Sequence, residues 1–390
     1  MKILHVIPSI SPSQGGPSRA IVDMERALTA RGLDVTTVTT NDDGGRTLAV
    51  PCGIPVAENG ATRWYFPRNT LFYKVSIGLA RWLGRNIGAF DVVHAHGLFS
   101  FAPVAAASIA RRAGVPYVLR PLGSLARYGL ERRRPLLKKL SFDLIDRQLV
   151  ESASAVQFTS LLEQSEAQSL DLRCNGVVIP LGIDVGPPPQ RRAQGGSRGK
   201  TNLLVLSRID PVKNLEGLFR ALALVVRGRD DVRLRIGGGG DPGYVRQLES
   251  LAAELKIVPY IEWLGHVTGE RKTDALASAD AFLLPSLSES FGVAAIEALA
   301  AGVPCIVSNR VAVQNDIAQA RAGIVVGVEP ESIAAGIETF LANEQNHTEM
   351  SNAARGLAVG RFSLESMGER LEALYREVCH SPSFVKAATA

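Results

Sequence analysis

The sequence predicts an α/β protein made of two doubly wound domains that face each other across a cleft. Short apolar runs of strand length alternate with segments of helical periodicity, which predicts parallel sheets covered by helices on both faces. Residues 186–200, rich in Pro, Gly and Arg, interrupt this alternation once and have the composition of a linker. The 390 residues also suffice for two or three domains of ordinary size.

Six strands are predicted before the linker and six after it. The first helical segment, residues 17–31, begins at Pro17 and is followed by Gly32, residue types that favour a helix start and a helix end. The chain from residue 331 to residue 378 is predicted to be helical, with a break near residues 356–362. The predicted strands cover residues 3–7, 35–39, 92–95, 117–119, 156–158, 177–179, 203–206, 232–236, 260–264, 281–284, 305–308 and 324–326.

The composition is that of an ordinary globular protein and excludes several classes of function. Hydrophobic residues make up 46% of the chain and charged residues 21%, and the net charge of +5 is too weak to indicate nucleic-acid binding. The four cysteines are scattered without metal-ligand spacing, which predicts reduced thiols, no metal site and a cytoplasmic protein. The first apolar run stops at Pro8, too early for a secretory signal, and no run is long enough to span a membrane.

Two glutamates stand in an otherwise small and apolar stretch at residues 288–304. Glu289 follows the predicted strand at residues 281–284, and Glu297 lies on the helix that begins near Val293. Carboxylates are rarely buried without a partner, so we expect both to face a polar ligand. The free amides of Phe291, Gly292 and Val293 at the helix start suit phosphate or hydroxyl oxygens. The alternative is that Glu289 caps the helix and Glu297 is a surface residue.

Cations and glycines follow other strands at the same predicted sheet edges. Arg208 and Lys213 come after the strand at residues 203–206 and suit a diphosphate, although solvated surface cations are the commoner reading. Gly15 and Gly16 precede the first helix, where an anion or a plain tight turn explains them equally well. Glycines also occupy positions 237–240, where they would let another backbone approach or form a flexible turn. Gly265 and His266 end a strand and would offer backbone groups to a planar base.

Paired carboxylates also occur in glycoside hydrolases, as the acid and the base or nucleophile. That alternative leaves the Arg208 and Lys213 loop and the glycine-rich turns unexplained. These features fit a donor that carries a diphosphate better than they fit a neutral polysaccharide.

The motifs at residues 288–304, 207–214 and 15–20 together resemble the retaining glycosyltransferases of the GT-B fold, in the large family that includes bacterial mannosyltransferases and sucrose synthases. The resemblance implies two Rossmann-like domains: residues 1–185 on the acceptor side and residues 201–360 holding the nucleotide sugar. Residues 361–390 would form a helix that crosses back to the first domain, and a tail.

The resemblance also implies roles for the motif residues. Glu289 would bind hydroxyls of the transferred sugar and Glu297 the ribose of a UDP- or GDP-linked donor. Arg208 and Lys213 would neutralise the leaving diphosphate, without a metal or other cofactor, and amides of Gly16 and residues 291–293 would complete the phosphate site. The expected activity is hexosyl transfer with retention to a glycan or lipid-linked acceptor, in surface polysaccharide biosynthesis.

One position departs from the family pattern. Leu122 stands where many relatives carry a histidine that faces the transferred sugar. Arg120 or His96 would then contact the acceptor side instead, although a core position explains His96 equally well. His94 is expected to be a core histidine. The departure leaves open a nucleotide-sugar-binding subunit without catalysis and, less readily, a nucleotide-sugar epimerase.

Residues 127–140 form a basic segment in which Leu136, Leu137 and Leu140 alternate with arginines and lysines. Such a segment would contact an anionic membrane at the inner face of the cell and suit a lipid-linked acceptor. A solvated charged face is the alternative.

Overall fold

A computed structural model of the chain describes residues 1–125, 140–187 and 200–380. The chain divides into two compact units. The first contains Met1–Asp184 and the terminal helix Leu364–His380, and the second is Val185–Ser363. Most of the predicted linker lies outside the described residues. All four cysteines are free, as predicted.

The first unit is built on an eight-stranded sheet in the order β10-β9-β8-β7-β1-β2-β6-β5. All neighbouring strands are parallel except β5, which pairs with β6 in the antiparallel direction. The strands are β1 Lys2–Ser9, β2 Asp34–Thr40, β5 Pro55–Glu58, β6 Ala61–Phe66, β7 Val92–His96, β8 Tyr117–Arg120, β9 Ala155–Phe158 and β10 Gly176–Val178, and a separate two-stranded ribbon joins β3 Asp42–Asp43 to β4 Arg46–Thr47. All six predicted strands of this half are confirmed.

The hairpin of β5 and β6 was not predicted. Its turn is Asn59-Gly60, with φ angles of 53° and 81°, the residue pair most typical of a two-residue hairpin. The polar residues Glu58, Thr62 and Arg63 interrupt the alternation of apolar and polar residues that predicts a strand. Arg63 occupies a buried position because it forms an ion pair with Glu25.

Helices cover both faces of this sheet, as the strand–helix alternation predicts. The first helix and the terminal helix pack on one face through an apolar cluster that includes Ile21, Met24 and Leu371. The opposite face carries a second cluster under the remaining helices. The helices of this unit are Gly16–Thr29, Ile77–Asn86, Phe101–Arg112, Arg147–Glu151, Leu161–Gln168 and Leu364–His380, with a π-helical turn at Phe142–Asp146.

The second unit has a six-stranded, fully parallel sheet in the order β13-β12-β11-β14-β15-β16. This is the classical doubly wound order, in which the chain turns back between β11 and β14. The strands are β11 Thr201–Leu206, β12 Val232–Gly237, β13 Ile261–Gly265, β14 Ala281–Leu284, β15 Cys305–Ser308 and β16 Gly323–Val326. All six predicted strands are confirmed.

Seven helices longer than five residues surround this sheet in the described part of the unit. The predicted break in the helical tail is displaced: the chain is helical through residues 356–362 and becomes extended at Ser363, with φ −78° and ψ 157°. A second break lies at residues 343–346. The helices are Leu215–Val225, Pro242–Glu254, Gly269–Ala277, Val293–Ala300, Gln314–Gln319, Pro330–Ala342 and His347–Phe362. No helix among the described residues is long and apolar enough to cross a membrane.

Candidate functional site

The predicted donor residues of the second unit lie at the point where its strand order reverses. The loops after β11 and β14 leave neighbouring strands at the same edge of the sheet, the usual place for a ligand in such sheets. The amide of Leu287 donates to the carbonyl of Val212 at 2.8 Å. The side-chain amide of Asn214 donates to the carbonyl of Pro285 at 3.1 Å. These bonds fix the two loops against each other.

The two loops bring Lys213 and Glu289 together. The Lys213 ammonium forms a close ion pair with the Glu289 carboxylate, and the side chains are only 14% and 20% exposed. Lys213 closes a short turn that begins at Asp210, whose carboxylate accepts a hydrogen bond from the amide of Val212 at 3.0 Å. Glu289 is therefore neither a simple helix cap nor a solvated surface residue.

Arg208 stands apart from this pair. Its side chain is 79% exposed, and its guanidinium lies 3.9 Å from the Asp210 carboxylate. An exposed guanidinium on the same loop remains free to bind an anion that approaches Lys213.

The glycine-rich turn at positions 237–240 packs against the loop that carries Arg208. A Cβ at Gly238 would lie 1.8 Å from the carbonyl oxygen of Ser207, and one at Gly240 would lie 2.2 Å from that of Ile209. The amide of Ile209 donates to the carbonyl of Gly239 at 2.9 Å. The prediction that glycines here admit another backbone is confirmed for Gly238 and Gly240, and that backbone is the loop that carries Arg208.

The helix start beside Glu289 has the geometry of an anion site. Gly292 precedes the helix in the left-handed conformation, with φ 86°. The amides of Phe291, Gly292 and Val293 donate to no described residue. The Phe291 ring is buried against Phe362, whereas the Val293 side chain is 42% exposed. The three amides are thus unpaired among the described residues, and the exposed Val293 side chain lies beside them.

Glu297 has a partner that the sequence analysis missed. The Lys272 ammonium lies 2.6 Å from its carboxylate, and both side chains are about one-third exposed. Lys272 belongs to the helix that follows β13. The order of strands and helices places this helix near Glu297. The sequence alone could not predict the contact, because one lysine in an ordinary amphipathic segment does not indicate a site residue.

Gly265 and His266 lie at the end of the edge strand β13, two strands away from β11. Both are exposed, and Gly265 has φ 65° with open space where a side chain would stand. Its carbonyl accepts the amide of Gly238 at 2.8 Å, which connects this corner to the glycine-rich turn.

In the first unit, the strand order reverses between β1 and β7, and a pocket of about 320 Å³ lies beside that point. Gln14 and Pro17, which flank Gly15 and Gly16, line it. Gly15 has φ 65° and directly precedes the first helix, so its conformation favours glycine.

Leu122 lines this pocket together with Gly97, which directly follows His96. The position that departs from the family pattern therefore faces a ligand-sized space.

The structure corrects the expectation for His96 and Arg120. His96 is fully buried and Arg120 is 2% exposed, so neither side chain reaches the surface. His5 Nδ1 lies 2.8 Å from His96 Nε2, and His94 Nδ1 lies 2.7 Å from the hydroxyl of Tyr375 on the terminal helix. The prediction of a core position for His94 is confirmed. His96 is buried beside His5, and the Arg120 guanidinium lies 3.8 Å from the Met24 sulfur of the first helix.

The buried cluster of His5, His94, His96 and Arg120 has strongly lowered pKa values. Burial, assisted by the Arg120 charge, lowers the pKa of His5 to about 3. Burial also lowers the pKa of His94 and of His96 far below the usual range. Burial lowers the pKa of Arg120 to about 10, which leaves it protonated at neutral pH. Nitrogens of the three histidines lie within 4.8 Å of one another, near enough for one metal ion, but the neighbouring guanidinium disfavours a second positive charge.

The basic segment at residues 127–140 lies outside the described residues except for Leu140, which is 56% exposed.

Two families match the chain over nearly its whole length. Residues 188–357 match the family described as glycosyl transferases group 1, and residues 15–182 match the glycosyl transferase 4-like domain. The chain therefore consists mainly of a glycosyl transferase 4-like domain followed by a group 1 glycosyltransferase domain.

Curated relatives match part of the chain. A phosphatidyl-myo-inositol mannosyltransferase of Mycobacterium tuberculosis is 32% identical over 227 residues, which is 56% of this chain and 58% of the relative. A D-inositol 3-phosphate glycosyltransferase of Corynebacterium urealyticum is 29% identical over 49% of this chain and 46% of the relative. The chain thus matches about half the length of these relatives.

Solved structures match the whole chain and show the GT-B fold. Sucrose-phosphate synthase from Thermosynechococcus elongatus superposes with a TM-score of 0.74 at 19% identity, over 97% of this chain and 99% of that one. HepE from Anabaena, in complex with UDP, has a TM-score of 0.74 at 18% identity, over 97% and 100%.

Proposed function

We propose that this chain is a retaining glycosyltransferase that moves a hexosyl group from a nucleotide-diphosphate sugar to a glycan or lipid-linked acceptor. The observation that carries the proposal is the Lys213–Glu289 ion pair at the strand-order reversal, beside a free helix N-terminus. It joins a cation for phosphate and a carboxylate for sugar hydroxyls in one place.

Different residues of the site bind different parts of the donor. Arg208 and Lys213 stabilise the negative charge that grows on the leaving diphosphate, and the amides of residues 291–293 bind its oxygens. Glu289 accepts hydrogen bonds from hydroxyls of the transferred sugar. Glu297, oriented by Lys272, accepts those of the ribose. In other transferases a metal ion neutralises the charge on the leaving diphosphate. Because Arg208 and Lys213 neutralise it here, we propose metal-independent transfer.

We propose that the sugar keeps its configuration by front-face attack. The acceptor oxygen bonds to the anomeric carbon as the bond to the phosphate oxygen breaks, and the acceptor proton passes to the leaving phosphate. We assign Glu289 to the sugar hydroxyls and not to this proton, since its carboxylate already contacts the Lys213 ammonium.

We propose UDP or GDP as the nucleotide, and similar proteins support UDP. HepE is found in complex with UDP-glucose, and a trehalose-6-phosphate enzyme from E. coli with UDP-2-fluoro glucose. We place the reaction in surface polysaccharide biosynthesis at the cytoplasmic face of the membrane.

The test measures donor binding and turnover with UDP- and GDP-sugars. Arg208→Ala and Glu289→Ala should abolish transfer and donor hydrolysis while the fold persists, because Arg208 is exposed and Glu289 lies at the sheet edge. Arg220→Ala removes an exposed arginine from the helix that follows the Arg208 loop and should leave both unchanged. Full turnover in either site variant would overturn the site assignment.

Leu122 favours one second candidate, a nucleotide-sugar-binding subunit without catalysis, because it lines the pocket at the position where the family resemblance implies a histidine. Such a subunit would bind the donor and never release its sugar. The matched families lend no support to an epimerase.

A further inference from the structure

Asn214 ends the loop that carries Arg208 and Lys213, and its backbone is left-handed, with φ 56° and ψ 42°. Residues with a Cβ atom adopt this conformation at a cost, whereas glycine adopts it freely. Asparagine also commonly caps a helix start, but the Asn214 side chain makes no capping hydrogen bond to the helix that follows, Leu215–Val225. Neither the turn nor the helix start therefore explains the asparagine side chain.

The Asn214 side chain instead joins three loops of the second unit. Its amide nitrogen donates to the carbonyl of Pro285 at 3.1 Å and to the carbonyl of Val328 at 2.9 Å. Pro285 follows β14 and Val328 follows β16, whereas Asn214 itself lies after β11. A carboxamide nitrogen carries two hydrogens, so these two bonds use its whole donor capacity.

Gly217, in the first turn of the helix, leaves the space that this side chain needs. A Cβ at Gly217 would lie 2.5 Å from Asn214 Oδ1 and 2.8 Å from Nδ2, and the three atoms nearest to that position all belong to Asn214. Gly217 is buried, and glycine is a poor residue within a helix. The packing of Gly217 therefore accommodates the same side chain that makes the two hydrogen bonds.

The loops that Asn214 joins carry both members of the donor-site ion pair. Lys213 directly precedes Asn214, and Glu289 belongs to the loop after β14. The amide of Leu287, in that second loop, donates to the carbonyl of Val212 at 2.8 Å. Two successive contacts thus fix the loop that carries Lys213 against the loop that carries Glu289.

We propose that Asn214 is a positioning residue of the donor site, which holds the Lys213 ammonium against the Glu289 carboxylate by bridging the loops after β11, β14 and β16. The proposal rests on the glycosyltransferase function and adds a residue that acts through Lys213 and Glu289. These two groups bind different parts of the donor, so their relative position decides whether the bound donor has its reactive geometry. Loss of the bridge should therefore lower turnover more than nucleotide affinity.

Two substitutions remove the bridge in different ways. Asn214→Gly keeps the left-handed turn and deletes the carboxamide. Gly217→Ala adds a methyl group that displaces the Asn214 side chain, although alanine otherwise favours the helix. The matched controls are Asn59→Gly, at an exposed left-handed asparagine of the first unit, and Gly356→Ala, at an exposed helical glycine with nothing within 4 Å of its Cβ position.

The first measurement is hydrogen exchange of the Leu287 amide, followed by NMR without any ligand. Asn214→Gly and Gly217→Ala should each speed this exchange about tenfold, because the contact beside it is lost, and the controls should exchange as the parent protein does. The Leu234 amide, in the buried strand β12, should be unaffected in every variant. Unchanged exchange at Leu287 in either site variant would overturn the proposal. Equal acceleration at Leu234 would also overturn it, since it would show a general loss of stability.

The second measurement compares turnover with nucleotide affinity, using UDP- and GDP-sugars and the free nucleotides UDP and GDP. In Asn214→Gly and Gly217→Ala, kcat should fall about ten- to hundredfold while the Kd of the nucleotide changes less than about threefold. An unchanged kcat, or a loss confined to nucleotide binding, would contradict the positioning role. If the parent protein used neither class of donor, the glycosyltransferase function would be refuted, and hydrogen exchange at Leu287 would still decide whether Asn214 holds the two loops.

Discussion

At the residue scale, each of the two site glutamates is partly buried beside a lysine ammonium, which balances its charge. Glu289 and Lys213 are 76 positions apart in the chain and form an ion pair that excludes most solvent. Glu297 and Lys272 form a second, more exposed pair. The two pairs differ in burial, so their loss should have different kinetic effects.

Lys213→Met should lower kcat about 10²- to 10³-fold, the usual effect of losing one group that stabilises charge in the transition state. Lys272→Met should mainly raise KM for the donor, because it orients a group that binds the ribose. Steady-state kinetics with a fixed acceptor separate the two effects. Equal changes in kcat for both variants would contradict the division of roles.

Gly238→Ala and Gly239→Ala provide a matched pair in one turn. The new methyl at position 238 would meet the carbonyl oxygen of Ser207, whereas nothing lies within 4 Å of one at position 239. Gly238→Ala should destabilise the chain by roughly 1–3 kcal/mol or more and displace the Arg208 loop. Urea denaturation and the donor dissociation constant test this, and similar values for both variants would refute it.

At the element scale, the strand order brings the loops after β11 and β14 together. The terminal helix packs on the sheet of the first unit. Met367, Leu371, Leu374, Tyr375 and Val378 on that helix are all at most 4% exposed. Gly368 allows a close approach, because a Cβ there would lie 2.9 Å from the carbonyl oxygen of Ala27 on the first helix. The helix is therefore an integral part of the first unit.

Leu371→Ala should cost about 2–5 kcal/mol of unfolding free energy, since it leaves a cavity between the terminal helix and the sheet. Glu377→Ala, on the exposed side of the same helix, should change the stability by less than about 0.5 kcal/mol. Differential scanning calorimetry measures both. A small effect of Leu371→Ala would mean that the helix is dispensable for folding.

At the scale of the whole molecule, the buried histidines make stability depend on pH. His5, His94 and His96 stay neutral in the folded state, while in the unfolded chain their pKa returns to about 6.5. Below that pH the unfolded state binds protons that the folded state does not, so stability falls as the pH decreases. Above it, the cluster adds no pH dependence.

The stability of the chain should therefore fall by up to about 4 kcal/mol per pH unit between about pH 6 and pH 4, or about 1.4 kcal/mol per unit for each histidine. His96→Gln should reduce this slope by about one-third, whereas His380→Gln, at an exposed position, should not. Urea midpoints across this range test both variants. An unchanged slope in His96→Gln would show that another group controls the acid limb.

Local sequence patterns predict the twelve main strands, the two-unit α/β organisation and the residues that we propose for the donor site. These features depend on local patterns: apolar runs, turn residues at strand ends, and glutamates in an apolar stretch. The Asn59-Gly60 hairpin was equally local, but the buried Arg63 obscured its alternation.

Only the tertiary structure decided which partners these residues have. The ion pair of Lys213 with Glu289, the pairing of Glu297 with Lys272 and the burial of His96 and Arg120 all depend on how strands and helices pack. His94 meets Tyr375 across 281 positions of sequence. The physical reason is that local patterns determine which face of an element is apolar, whereas strand order and helix packing determine what covers that face.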